Sequence, residues 1–254
     1  MKKISAIILA SSLGLAAQAQ LINAFNGESL SAYTATPILD NNGGGGSGLA
    51  FSDASGSLVA SFVGTTSAPE QALFLTSVAL PVGDTLSVLT SMPVTATQMD
   101  LGLAICATAT PTAAASGNSY NSRTLYDWAS ISVRPSQTAI RANTSISGTL
   151  TTASGVLGAA ANTVASLFIN NNGGGSFTLG YVDTSAVSHI SETVTFSPTS
   201  LVGSAIGIYS DVRATGASLG GLSNLTITPT PEPSTLALGG LGLAVLAARM
   251  GRKQ

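Results

Sequence analysis

Phe177-Thr178-Leu179-Gly180-Tyr181-Val182 places three large apolar side chains on one side of an extended chain and smaller or polar ones on the other. This is the period of a β-strand with a single buried face. Just before it stands Asn170-Asn171-Asn172-Gly173-Gly174-Gly175-Ser176, whose Asn and Gly residues tolerate positive φ and so reverse the chain. The run therefore predicts a hairpin between strands at 163–170 and 176–182. A similar turn, Asp40-Asn41-Asn42-Gly43-Gly44-Gly45-Gly46, follows Ile38-Leu39, but the likeness stops at the turns and does not indicate a duplicated domain. Working outward, Thr, Val, Ser, Ile and Leu segments punctuated by Gly, Asn, Asp or Pro predict further strands at 33–39, 57–63, 72–80, 85–91, 95–107, 128–134, 137–142, 144–151, 192–196, 205–209 and 222–228. No segment between residues 20 and 228 holds a long 3.6-residue apolar period. The expected class is all-β, an antiparallel β-sandwich of the jelly-roll kind. Phe177, Leu179 and Tyr181 are expected to face inward against Leu167, Ile169, Phe196 and Ile208.

The two ends differ from this body. Lys2 and Lys3, an apolar stretch from Ile4 to Ala16, and the small-x-small triplet Ala17-Gln18-Ala19 form a signal-peptide pattern, with the mature chain expected to begin at Gln20. At the other end, Pro231-Glu232-Pro233 precedes an uncharged run, 236–248, and the cations Arg249, Arg252 and Lys253. As a helix that run covers about 20 Å against a hydrocarbon core of about 30 Å. Extending it to 234–250 and letting the cations reach the headgroups makes a short span, with the C-terminus inside by the positive-inside rule. The expected organisation is a signal peptide at 1–19, a β-sandwich domain at 20–228 and a sorting segment at 229–254.

Five of the nine basic residues lie in these end segments, which leaves four arginines and ten carboxylates in the body, a net charge near −6. Nucleic acid is excluded as a partner because phosphate binding needs clustered Lys and Arg. The one cysteine, Cys106, lies in an apolar run and is read as a buried thiol.

Pro-Glu-Pro, a short Gly/Ala/Leu span and a terminal Arg/Lys cluster, in that order, resemble the PEP-CTERM sorting signal recognised by exosortase. The resemblance implies a precursor anchored transiently in the inner membrane. It also implies cutting near Pro231, Glu232 and Pro233 by an exosortase-type membrane transpeptidase, and delivery to the cell surface or an exopolysaccharide matrix. A second resemblance rests on 164–182, Ile206-Gly207-Ile208-Tyr209-Ser210-Asp211-Val212-Arg213 and Leu222-Ser223-Asn224-Leu225-Thr226-Ile227, which are similar to the later half of concanavalin-like (LamG-like) jelly rolls. Ser223 stands where that family's closing strand carries aspartate.

Chemistry-bearing residues are few. Gly216-Ala217-Ser218-Leu219-Gly220 fits the Gly-x-Ser-x-Gly pattern, but a nucleophile elbow needs a helix after it and an acid and a histidine further on. The only histidine, His189, comes earlier, so the motif reads as a glycine-rich turn. Asp183, His189 and Glu192 match no tight metal spacing and read as a solvated loop, with no metal or cofactor expected. The three glutamates of the body are isolated, and no two carboxylates are paired in sequence as glycosidase chemistry requires. Arg123, Tyr126 and Trp128 lie beside a polar loop expected at 110–121, and they form a candidate glycan-binding cluster of the aromatic-stacking type, although core-edge aromatics look the same in sequence. The reading is a non-enzymatic surface or matrix scaffold or weak glycan binder with extracellular polysaccharide as partner. The alternative is a secreted carbohydrate-active hydrolase.

Overall fold

The computed structural model describes residues 18–40, 49–54, 56–62, 70–96, 98–108, 120–121, 123–137, 139–153, 161–196, 205–212, 214 and 216–229. Among these, sixteen strands follow in order. They are β1 (Gln20–Asn23), β2 (Tyr33–Asp40), β3 (Leu49–Ala54), β4 (Ser57–Phe62), β5 (Glu70–Thr76), β6 (Thr85–Thr90), β7 (Met99–Cys106) and β8 (Tyr120–Asn121), then β9 (Trp128–Arg134), β10 (Ala139–Ile146), β11 (Thr149–Ala153), β12 (Val164–Gly173), β13 (Ser176–Asp183), β14 (Ser188–Thr195), β15 (Ala205–Val212) and β16 (Ser218–Thr228). The described helical turns are two three-residue 3₁₀ segments, 135–137 and 161–163. Residues 20–227 form one compact unit.

The strands make two sheets. Sheet A runs β14-β13-β12-β6-β16-β4-β3, with β1 also pairing to β16, and sheet B runs β11-β10-β9-β7-β15-β5-β2-β8. The chain is an all-β antiparallel sandwich. The expected hairpin forms with Gly173 opposite Ser176, and Gly174 and Gly175 at its tip have φ of 59° and 81°. Positive φ at both central residues is what a type I′ hairpin needs. One apolar cluster fills the space between the sheets: Phe177, Leu179 and Tyr181 of β13 and Leu167 and Ile169 of β12 share it with Ile208 of β15 in the opposite sheet. The Phe177 and Phe196 rings meet at 5.0 Å. A ladder of rings links the sheets near β2, with Phe51 on Phe74 at 4.5 Å and Phe74 on Tyr33 at 4.8 Å.

Four readings are corrected. The break placed at Asn143 is absent, because Asn143 is buried and paired to Ser130 and Thr152 in the ladder. The reversal comes later, at Ser147 and Gly148, both at positive φ. Ser218 opens β16 instead of lying in a turn, and the turn belongs to Gly216, at φ 69°. Asp183, His189 and Glu192 lie on the β13–β14 hairpin and not in a loop. Burial of one face only holds for β4 and β13 but fails for sheet B, where β5, β7, β9 and β15 are buried along their whole length. The expected loop at 110–121 lies outside the described residues apart from Tyr120 and Asn121, which pair with β2.

Candidate functional site

The outer face of sheet B, turned away from sheet A, carries the densest polar chemistry among the described residues. Met99, Leu101, Leu103 and Ile105 of β7 point into the inter-sheet core, so Asp100, Gly102, Ala104 and Cys106 point outward. Strand register then sets rows across the face. One row reads Gln71, Asp211, Asp100, with Arg134 on the next strand, and a second reads Leu73, Tyr209, Gly102, Ser132, Arg141. A third reads Leu75, Gly207, Ala104, Ser130, Asn143, and the fourth Ala205, Cys106, Trp128, Ser145. The middle rows are a trough of small residues. Over it Trp128 stacks on Tyr209, with centroids 5.7 Å apart and planes 20° apart. Gly102 and Gly207 are required there, since a Cβ on either would overlap backbone of the adjoining strand, at Ile131–Ser132 and Phe74–Leu75 respectively.

At one end of the trough the face is ionic. Asp100 and Asp211 stand directly opposite one another on β7 and β15, and a single guanidinium bridges them: Arg134 Nε donates to Asp100 Oδ1, and Nη2 donates to Asp211 Oδ2 at 3.0 Å. Arg141 Nη1 lies 3.9 Å from Asp100 Oδ2. Asp100 is 0 % exposed, and Arg134 and Asp211 are each 2 % exposed. Burial and the charge of Asp211 push the Asp100 carboxyl up to about 7 against the opposing pull of Arg134 and Arg141. Burial, with both carboxylates nearby, also holds the Tyr209 phenol well above its ordinary value. Across the four rows Gln71 Oε1, Arg141 Nε, Asn143 Nδ2, Ser145 Oγ and Tyr209 OH are buried without a hydrogen-bond partner. Unpaired buried polar atoms cost free energy, so so many on one face call for an explanation.

The sequence-predicted residues land as follows. Trp128 is 1 % exposed, its Nε1 donates to the Arg123 carbonyl at 2.9 Å, and its ring is covered by Tyr209, so it is a core residue of the outer face and not an open stacking platform. Tyr126 packs half-buried against the same apolar group, and Arg123 is half-buried. His189 Nε2 sits 2.9 Å from Asp183 Oδ2 and its ring stacks on Tyr181 at 4.5 Å, while Glu192 is opposite Leu179 and takes no part. That hydrogen bond, with the Val187 N–H, lowers the Asp183 carboxyl. Among the described residues no three His, Cys, Asp or Glu side chains are grouped to hold a metal. Ser218 is followed by strand, not helix. Burial raises the Cys106 thiol to about 11, consistent with an inert core residue. Ala19 is exposed, and Ala17, Pro231, Glu232, Pro233, Arg249, Arg252, Lys253 and the helix expected at 234–250 lie outside the described residues. No helix among the described residues is long and apolar enough to cross a membrane.

The opposed pair Asp100 and Asp211 was missed in sequence, where the carboxylates read as unpaired. The available signal was a charge in an otherwise uncharged strand, at Asp100 in β7, Asp211 in β15 and Arg134 at the end of β9.

Comparison with known proteins gives three findings. Residues 229–253 match the PEP-CTERM protein-sorting motif. The chain thus carries the mark of exported proteins that are anchored transiently in the membrane before exosortase cleavage. No curated protein matches the chain. Among solved structures the fold is similar to a functionally unknown protein from Saccharomyces cerevisiae, at 10 % identity and TM-score 0.52 over 80 % of this chain and 99 % of that one. It is similar to a protein of unknown function with a galectin-like fold from Bacillus subtilis, at 10 % identity and TM-score 0.51 over 83 % and 98 %. It is also similar to LamAcat from Zobellia galactanivorans, at 8 % identity and TM-score 0.51 over 87 % and 99 %.

Proposed function

We propose that this exported protein is a non-enzymatic cell-surface or matrix component that binds extracellular polysaccharide weakly through the outer face of sheet B. The observation that carries this reading is the set of buried, unpartnered donors and acceptors on that face: Gln71 Oε1, Arg141 Nε, Asn143 Nδ2, Ser145 Oγ and Tyr209 OH. Hydroxyl groups of a sugar both donate and accept, so one ligand class satisfies all of them. Because the atoms are buried, a ligand must open the face, and that cost lowers the apparent affinity. The carboxylates are engaged by Arg134, and the only histidine is on the other sheet. These facts favour binding over turnover.

One observation favours a hydrolase instead: Asp100 and Asp211 are opposed on adjacent strands, and Asp100 is raised to about 7, near the working range of a general acid. A glycan array on the purified exported protein, run beside polysaccharide-hydrolysis assays, separates the readings. The expected result is specific binding weakened about tenfold by Asn143→Ala, equivalent to about 1.4 kcal/mol, with no product release. Hydrolysis abolished by Asp100→Asn replaces this reading with the enzymatic one. A silent array leaves the scaffold role alone.

A further inference from the structure

The outer face of sheet A holds a patch without ionisable side chains. Leu167 and Ile169 of β12, Leu179 and Tyr181 of β13, and Leu86 and Val88 of β6 point into the inter-sheet core, so the residues between them point outward. Register sets these in rows across β14, β13, β12 and β6. One row reads Ser188, Val182, Ser166, Leu89, the next Ile190, Gly180, Phe168, Ser87, and the third Thr193, Thr178, Asn170, Thr85. The nearby His189 and Glu192 stand opposite the core residues Tyr181 and Leu179 instead. Ile190 is 68 % exposed and Leu89 47 % exposed, with Val182 and Phe168 between them. The first two rows are thus an open apolar surface, of the sort that marks a contact site.

The third row forms a polar rim that is already tied together. Thr85 Oγ1 donates to Asn170 Oδ1 at 2.8 Å, Asn172 Nδ2 donates to Thr178 Oγ1 at 2.9 Å, and the Thr178 and Thr193 hydroxyls lie 3.4 Å apart. In the second row the Ser87 and Thr226 hydroxyls share a hydrogen bond at 2.8 Å. Groups that satisfy one another cost less to remove from water than unpaired ones.

The order of large and small side chains fits its own rotated copy. When the patch is turned over about an axis parallel to the strands, between β12 and β13, Leu89 lies over Ser188, Val182 over Ser166 and Ile190 over Ser87. Large meets small in each case, and each contact occurs twice. The Phe168 ring leans over Gly180 of its own chain, toward that axis, where it meets its mate. Thr178 lies over Asn170 and Thr193 over Thr85, so polar row meets polar row. Five strands, counting β16, spaced about 4.8 Å, and three rows about 7 Å apart, give on the order of 500 Å² per copy, and about 1,000 Å² in all is the lower bound of a specific contact. The body carries a net charge near −6, so two copies repel one another on charged approaches but not on this one.

We infer that this face is an isologous contact between two copies of the chain, sheet A against sheet A, about a two-fold axis running between β12 and β13. The inference does not depend on what the outer face of sheet B binds, and it leaves that face turned outward on both copies.

Sedimentation equilibrium of the purified exported protein tests it. The expected result is a monomer–dimer equilibrium with Kd on the order of 10–100 µM, as suits a contact of this size. Association tightens as salt is raised from about 20 mM to about 200 mM, because screening relieves the repulsion between the two bodies and no ion pair is lost. Ile190→Arg, at an open position, weakens it at least about tenfold without lowering the monomer's melting temperature. Leu125→Arg, also exposed but outside the three rows, leaves it unchanged. A short bis-maleimide crosslinker reads the geometry: a mixture of the Leu89→Cys and Ser188→Cys variants gives crosslinked dimers and neither variant alone does, the native Cys106 being buried. A monomer at about 1 mM, Ile190→Arg associating like wild type, association weakened by salt, or crosslinking by either variant alone as strong as in the mixture overturns the inference.

Discussion

Sheet A and sheet B are built from similar residues and solve different problems. In sheet A, β4 and β13 alternate, with Leu58, Ala60 and Phe62 or Phe177, Leu179 and Tyr181 in the core and smaller or polar neighbours facing out. In sheet B, β5, β7, β9 and β15 are buried on both faces, and the second face encloses a second apolar group with a charged network at its end. Strands buried on both sides are the rule for parallel sheets and unusual in an antiparallel sandwich. The contrast teaches that β4 and β13 of the first sheet bury a single face, and that face is apolar. The second also depends on Asp100, Asp211 and Arg134 being satisfied together.

The sharpest way to break this comparison is to remove one part from each sheet. Phe177→Ala in sheet A is expected to cost about 3–5 kcal/mol by cavity formation, and Arg134→Ala in sheet B a similar 3–5 kcal/mol by leaving two buried carboxylates uncompensated. Chemical denaturation measures both. Only the second loss should be recovered when the whole trio becomes apolar, as in Asp100→Leu, Arg134→Met, Asp211→Leu, because the charge problem then disappears.

A pH titration of stability comes next in size. Asp100 holds its proton more tightly folded than unfolded, so its contribution is full below about pH 4 and is lost as pH rises through about 7. The difference between wild type and Asp100→Asn should therefore change by on the order of 2–4 kcal/mol between pH 4 and pH 7. A flat difference would mean that the carboxyl titrates normally.

Gly102→Ala should cost about 1–3 kcal/mol, since its Cβ meets the Ile131 carbonyl and the Ser132 backbone and the adjoining strand must shift. A melting scan reads this. Ser218→Ala, on the exposed first residue of β16, should fall within about 0.5 kcal/mol and leave any activity untouched.

Sheet A was legible in the sequence for the same reason that it is simple: with one face wet, the alternation at 177–182 states which side is which. β7 defeats that reading, because Met99, Leu101, Leu103 and Ile105 and the outward Gly102, Ala104 and Cys106 are all compatible with burial. Trp128 misled for a related reason, as an aromatic at a strand start looks alike whether its outer face is open or covered. The pairing of Asp100 with Asp211 depends on the register of two strands distant in sequence, and no local pattern encodes that. Turn chemistry was readable where two glycines lay together, at Gly174 and Gly175, and hidden where Ser147 took positive φ beside Gly148.

The strand that leads to the sorting segment is β16, eleven residues long, flanked by β6 and β4 inside sheet A, with Gln20 of β1 opposite Ile227 on its last rungs. Any tension on the tail enters the body through Thr228 and runs along this strand. Its ladder bonds lie across the strand, so a pull along it loads them together in shear instead of opening them one after another as on a peeled edge strand. While the precursor is still held in the membrane, drag on the exported body is thus borne by an interior strand of the sandwich, and the sheet is gripped at its centre and not at its hem.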